Sequence, residues 1–195
     1  MNKHYDEKIL GIEALASGHW LRIEKIIYSD HAGKRRDWES VARNKAKGAV
    51  AIVPVLIPTR NILLVSQFRP PANGRVLEFP AGLVDREEEV ERTALRELKE
   101  ETGYIGKILR IFPASFSSPG LSSEAVHLAI AEIDENAEEN LTPVPEPDDG
   151  ESLEVHKVRA ELLSEFIDQF VCAGGYVDSK VLSFSIGLKF NKSII

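Results

Sequence analysis

Apolar and polar positions first divide the N-terminal part of the chain into short β-structure. Residues 19–28 alternate roughly and are rich in Ile, Leu and aromatic residues, residues 30–33 form a turn, and residues 34–42 return as a second strand. Such a hairpin is too small to bury a core of its own. We therefore expect it to pack on the rest of the chain or on a second copy.

Continuous apolar runs in the following part predict buried strands that are separated by turn-forming residues. These strands are predicted at 49–58, 61–67, 76–79, 107–112, 126–133 and 151–158. The segment 115–123 is dense in turn formers and is predicted to be a loop. Residues 134–150 are polar and broken by prolines, so we interpret them as a long mobile loop.

The C-terminal part has the spacing of helices. Residues 159–172 are amphipathic, and Asp178 is a suitable N-cap for a last helix that turns Val181, Phe184 and Leu188 inward. Cys172, at the apolar end of the first of these helices, is expected to be buried. Strands flanked by helices predict an α/β/α sandwich.

Composition limits the class of protein. The 195 residues fit one domain with a small accessory piece, and the net charge of −7 argues against a nucleic-acid or anionic-membrane partner. A single cysteine permits no internal disulfide and suits a reducing compartment. No run approaches 18 apolar residues. We expect a soluble cytoplasmic protein, with the nucleus as an alternative location.

An acidic stretch carries the candidate chemistry. Residues 82–104 end in strong helix formers, and helical spacing places Glu97, Glu100 and Glu101 on one face. Like charges at these spacings destabilise a helix, whereas a bound hard cation removes the repulsion. The opposite face of the helix carries an apolar stripe and is expected to be buried. The alternative is a solvated acidic surface.

This stretch resembles a Nudix box. The matching positions are Gly82, Glu88, Arg96, Glu97, Leu98, Glu100, Glu101 and Gly103, and only Tyr104 departs by replacing an aliphatic residue. The resemblance implies a Nudix-type α/β/α sandwich with a mixed sheet, plus a small N-terminal β-hairpin domain. We expect residues 1–45 to form a β-rich region for dimerisation and substrate recognition, and residues 46–195 the Nudix hydrolase domain.

The resemblance also implies metal-dependent hydrolysis of a nucleoside diphosphate derivative. Mg²⁺, with Mn²⁺ as an alternative, would be held mainly by Glu97 and Glu101, with Glu100 sharing or modulating a metal and the carbonyl of Ala81 as a further ligand. Glu88 and Arg96 would mostly orient the helix.

The general base in similar enzymes lies outside the box. Here Glu151 is favoured, as it follows Gly150 in an acidic run, and Glu154 is second. The alternative is that the whole acidic run is a solvated loop.

Features outside the box resemble the ADP-sugar pyrophosphatase subfamily. Pro119 lies 15 residues past Tyr104, and the segments 67–71, 78–82 and 119–122 are similar as well. The resemblance implies a homodimer that hydrolyses ADP-ribose, in which two tryptophans, one from each subunit, sandwich the adenine. The expected substrate-binding residues are Trp20, Trp38, Glu39, Arg69, Gly120 and Leu121.

Two alternatives stay open. The substrate could be another nucleoside diphosphate derivative, such as an oxidised guanine nucleotide, because a pair of tryptophans does not separate the purines. A non-catalytic nucleotide-binding protein on the same fold is the other class, but such proteins often lose a glutamate of the box and all of them are present here.

Overall fold

A computed structural model describes residues 6–85, 87–148, 150 and 152–194. Within these residues the N-terminal part forms an antiparallel sheet of three strands in the order β1 (Lys8–Ser17), β2 (Leu21–Ser29) and β3 (Arg35–Arg43). The predicted hairpin corresponds to β2 and β3. The prediction missed β1, and it placed Trp20 inside a strand, although Trp20 lies in the turn between β1 and β2.

The remaining strands of the described chain form one mixed sheet of nine strands. They are β4 (Gly48–Ile57), β5 (Asn61–Arg69), β6 (Gly74–Glu78), β7 (Ala81–Val84), β8 (Lys107–Ile111), β9 (Ser115–Phe116), β10 (Ala125–Asp134), β11 (Glu154–Arg159) and β12 (Tyr176–Val177). β4 pairs with β10 in parallel and with β5 and β7 in antiparallel register. The helices are α1 (Val90–Thr102), α2 (Leu163–Cys172) and α3 (Ser179–Ile194).

Two apolar clusters cover the two faces of this sheet. One contains Leu64 of β5 and packs against Leu163 of α2 and Val181 of α3. The other contains Leu63 of the same strand and packs against Leu98 of α1. Because neighbouring residues of a strand point to opposite faces, a strand buried on both sides needs the continuous apolar run seen in the sequence. The α/β/α sandwich is therefore confirmed.

The C-terminal helices differ in detail from the prediction. β11 runs on to Arg159 and a short 3₁₀ turn follows, so α2 begins at Leu163 and not at residue 159. Cys172 is exposed, which makes the prediction of a buried thiol wrong, because the last turn of α2 extends past the core. The Asp178 cap is confirmed, as its Oδ1 accepts from the Lys180 N–H at 2.8 Å.

The N-terminal sheet leaves much apolar surface open in the single chain. Ile9, Leu10, Ile12 and Leu15 of β1 are each at least half exposed. β3 is attached to the loop after β9, where the Val41 N–H donates to the Leu121 carbonyl at 2.9 Å and the Ser123 N–H donates to the Val41 carbonyl at 3.1 Å. In the described residues, no helix is long and apolar enough to cross a bilayer.

Candidate active site

Helix α1 places the acidic cluster at a cleft because its other face is anchored in the core. Ala94 and Leu98 are fully buried against the sheet. Glu97, Glu100 and Glu101 consequently line a cleft of about 1000 Å³, together with Ala81. The backbone around the helix supports this placement, since Gly103 ends α1 in the left-handed conformation with φ of 76°.

Arg96 is the centre of the acidic cluster. Its Nη1 lies 2.8 Å from oxygens of both Glu97 and Glu100, and its Nη2 lies 3.3 Å from Glu88. Partial burial alone lowers the pKa of the Arg96 guanidinium, but the hydrogen bond with Glu88 and the charge of Glu97 outweigh it and raise the pKa. The same hydrogen bond from Arg96 lowers the pKa of Glu88. Arg96 thus offsets part of the repulsion among these carboxylates.

Glu101 and Glu97 are fitted closely to β7. Glu101 is buried, and its Oε2 accepts from the Ala81 N–H at 3.0 Å. Gly82 lies against Glu97, because a Cβ at this position would come within 2.5 Å of the Glu97 Cγ and closer still to its carboxylate. The glycine of the box therefore makes room for the Glu97 side chain.

The residues present suit a hard divalent cation. In their present positions, no three His, Cys, Asp or Glu side chains of the described residues are grouped to hold a metal ion. The donors are nevertheless carboxylate oxygens of Glu97, Glu100 and Glu101, which Mg²⁺ and Mn²⁺ prefer. Arg96 contacts Oε1 of Glu97 and Oε2 of Glu100, so a cation bound there would share these carboxylates with the guanidinium.

The charge of the cleft also suits the binding of cations. Its described acidic lining residues are Glu78, Asp85, Glu87, Glu88, Glu97, Glu100, Glu101, Glu124, Asp148 and Asp178. Its described basic lining residues are Arg43, Arg69, Arg92, Arg96 and Lys180. Such an excess of carboxylates repels an anionic ligand unless cations accompany it.

A second group of charged residues at the cleft surrounds the end of β6. Arg69 pairs with Glu78 at 2.8 Å, and Gln67 donates to the same carboxylate at 3.2 Å. Lys180 pairs with Asp178 at 3.1 Å. Arg69 was predicted from the sequence to bind substrate, whereas Lys180 and Asp178 were not predicted to line the cleft. Asp178 was predicted only as a helix cap, which says nothing about a cleft, and no role was predicted for Lys180.

The two tryptophans have different surroundings. Trp20 lines the cleft, with the His19 ring edge-on at 4.5 Å. Trp38 is half exposed and is not among the described residues that line the cleft of its own chain. Its Nε1 donates to the Gly120 carbonyl at 3.0 Å.

The other substrate residues proposed from the sequence lie near Trp38. Glu39 is exposed next to it on β3, and Leu121 is exposed on the loop that pairs with this strand. Trp38 therefore lies beside Gly120 and Leu121, whereas Glu39, as the next residue of β3, points to the opposite face of that sheet, and Trp20 belongs to the cleft.

The candidate bases are placed as follows. Glu151 lies outside the described residues. Glu154 begins β11, where its carboxylate is exposed and lies 3.9 Å from Arg75, and it is not among the described lining residues of the cleft. Asp148, three residues before Glu151, does line the cleft.

Comparison with known proteins decides the family. A model of the NUDIX domain matches residues 45–172. The chain belongs to the Nudix family. This confirms the family resemblance read from the box.

Two relatives share most of the length of this Nudix chain. An ADP-sugar pyrophosphatase of Mus musculus is 39% identical over 189 residues, which cover 93% of this chain and 87% of the mouse protein. An ADP-ribose pyrophosphatase of Saccharomyces cerevisiae is 38% identical over 186 residues, covering 89% and 78%. A crystal structure of an ADP compounds hydrolase superposes with a TM-score of 0.68 at 22% identity, covering 95% of this chain and 92% of the other. This last similarity supports the fold.

Proposed function

We propose that this Nudix hydrolase cleaves the diphosphate of ADP-ribose and related ADP-sugars. Water would add across one P–O–P bond, so that ADP-ribose gives AMP and ribose 5-phosphate. The observation that carries the proposal is the acidic cleft of α1, whose carboxylates would need cations before a diphosphate could bind. The ADP-sugar and ADP-ribose pyrophosphatase relatives, which match most of the chain, support the choice of substrate.

In this proposal Glu97 and Glu101 hold Mg²⁺, or Mn²⁺ as an alternative, with help from Glu100 and the Ala81 carbonyl. A metal bound there would neutralise the diphosphate and lower the pKa of a bound water. Glu151 would take the proton from that water. Arg96 would keep the helix carboxylates oriented through its contacts with Glu88, Glu97 and Glu100.

The adenine slot is proposed to form between two subunits. Trp20 lies at the cleft, whereas Trp38 lies beside Gly120 and Leu121 and is not among the described lining residues of that cleft. A second copy could bring its Trp38 to the Trp20 of the first, and the two rings would hold a purine between them. The exposed apolar side chains of β1 give residues 1–45 a surface for such a homodimer. Arg69, which lines the cleft, is proposed to contact phosphate.

Product analysis with ADP-ribose and Mg²⁺ tests the proposal. We expect AMP release that requires the metal and is strongest for ADP-ribose within a panel of nucleoside diphosphate derivatives. Strongest turnover of an oxidised guanine nucleotide would instead identify another Nudix substrate. Binding of nucleotides without any turnover would favour the non-catalytic class.

One pair of variants tests the metal site. Glu97→Gln should abolish turnover while thermal unfolding stays close to that of the wild type, because the amide preserves shape but loses the ligand charge. Glu91→Gln makes the same chemical change on α1, at an exposed side chain that is not among the described cleft residues, and should leave activity intact. Full Mg²⁺-dependent activity in Glu97→Gln would rule out the proposed ligand.

A further inference from the structure

The loop after β10 is attached to the end of the acidic helix. Its central part, residues 140–148, is called the strap below. The strap begins at Asn140, whose buried amide accepts from the Ile105 N–H at 2.8 Å and donates to the carbonyls of Ile105 and Asp134 at 2.9 Å each. A buried amide with three such bonds fixes the start of the strap relative to the segment that follows α1.

The strap also completes the end of α1. The last four carbonyls of a helix have no partner within the helix. In α1 the Gly103 N–H donates to the Lys99 carbonyl at 2.8 Å, and the Glu146 N–H of the strap donates to the Glu100 carbonyl at 2.7 Å. Glu100 is a cleft residue, so this backbone bond joins the strap directly to the acidic cluster.

Gly103 allows the strap to approach this closely. A Cβ there would lie 2.6 Å from the carbonyl carbon of Val144 and 2.8 Å from that of Pro143, both backbone atoms. Gly103 therefore has two roles: it ends the helix in the left-handed conformation, and it leaves room for the backbone of the strap. Prolines at positions 143, 145 and 147 stiffen the segment that makes this contact.

We propose that the strap is a positioning element for catalysis. It leads from Asn140 over the end of α1 to Asp148, and so sets where Asp148 meets the cleft. Asn140, Gly103 and the backbone N–H of Glu146 are the positioning groups. The catalytic part of this inference rests on the proposed function, in which Glu151 is the general base.

Substitution of Glu146 separates its backbone from its side chain. Glu146→Pro removes the backbone N–H that donates to the Glu100 carbonyl, whereas Glu146→Ala keeps this N–H and deletes only an exposed side chain. With ADP-ribose and Mg²⁺ we expect Glu146→Ala to match the wild type. Glu146→Pro should lose about tenfold in kcat, since a small displacement of a catalytic group is costly. KM and the Mg²⁺ concentration for half-maximal rate should not change, because the lost bond is to the backbone carbonyl of Glu100 and the carboxylates of α1 keep their places. An unchanged kcat in Glu146→Pro would overturn the positioning role.

Amide hydrogen exchange tests the docking without any substrate. The Glu146 amide of the wild type should exchange slowly although its side chain is exposed, and Gly103→Ala should make it exchange quickly. Gly174→Ala is the matched control, because Gly174 also follows a helix with φ of 93° but has no atom within 4 Å of an added Cβ. Fast exchange in the wild type would overturn the strap whatever the enzyme hydrolyses, whereas a lack of ADP-ribose hydrolysis would overturn the proposed function alone.

Discussion

The contact between Gly82 and Glu97 allows the rate effect of a single methyl group to be worked out. In Gly82→Ala the new Cβ would lie 2.5 Å from the Glu97 Cγ, whereas ordinary contact starts at 3.4 Å. The Cγ must therefore retreat by about 0.9 Å, and the carboxylate, which is nearer, must move further. A displacement of about 1 Å costs about 100-fold in rate, or about 2.7 kcal/mol of transition-state stabilisation.

Stability should change much less than activity in this variant. Gly82 does not have a positive φ, so alanine fits the backbone, and the side chain that must yield is the flexible end of a glutamate. We expect the free energy of unfolding to stay within about 1 kcal/mol of the wild type. The assay is kcat/KM for ADP-ribose over a Mg²⁺ titration, with urea unfolding in parallel. Gly187→Ala, which meets no atom within 4 Å, is the control and should be fully active. Wild-type kcat/KM in Gly82→Ala would refute the reasoning.

Two further predictions concern the dimer and the pH dependence of stability. Trp20→Ala and Trp38→Ala should each raise KM. When the two variants are mixed and re-equilibrated, half of the dimers combine one subunit of each variant and have one complete tryptophan pair out of two, so about a quarter of the adenine slots should be intact. No recovery of activity at low substrate concentration would argue against a slot shared between subunits. His156, which bonds Ser66 at 2.9 Å, has a pKa lowered chiefly by burial, with nearby Glu154 opposing and Arg75 reinforcing the shift. The unfolded chain therefore binds a proton that the folded chain resists, and stability should fall as the pH drops below about 6.5. Urea midpoints at pH 7 and 5.5 should differ less in His156→Gln than in the wild type.

The sequence predicted those features that depend on local spacing. Leu98 and Glu97 are neighbours on one helix, and the 3.6-residue period alone assigns one to the core and the other to the cleft. The continuous apolar run of β5 likewise predicts burial on both faces of the sheet. For residues of this kind, the neighbouring positions in the sequence are enough to predict burial or exposure.

Features that depend on distant partners could not be predicted in this way. Lys180 reaches the cleft only because β12 pairs with β6 and so sets the start of α3 beside Glu78. β1 lacks a regular alternation because much of its apolar surface stays exposed in the single chain, so the pattern that identifies half-buried strands is missing. Cys172 follows an apolar helix face, but nothing in its neighbours shows where the core ends.

The contacts of Arg96 have a consequence for how the protein is made. Clustered carboxylates on one helix face repel one another and lower the stability of the helix by a few tenths of a kcal/mol for each pair. Here the single positive charge of Arg96 contacts Glu88, Glu97 and Glu100 and offsets part of their mutual repulsion from within the same polypeptide. We therefore expect the newly synthesised chain to complete its fold without a metal ion. Treatment with a chelator should then abolish activity without unfolding the protein, and re-addition of the ion should restore activity without a refolding step.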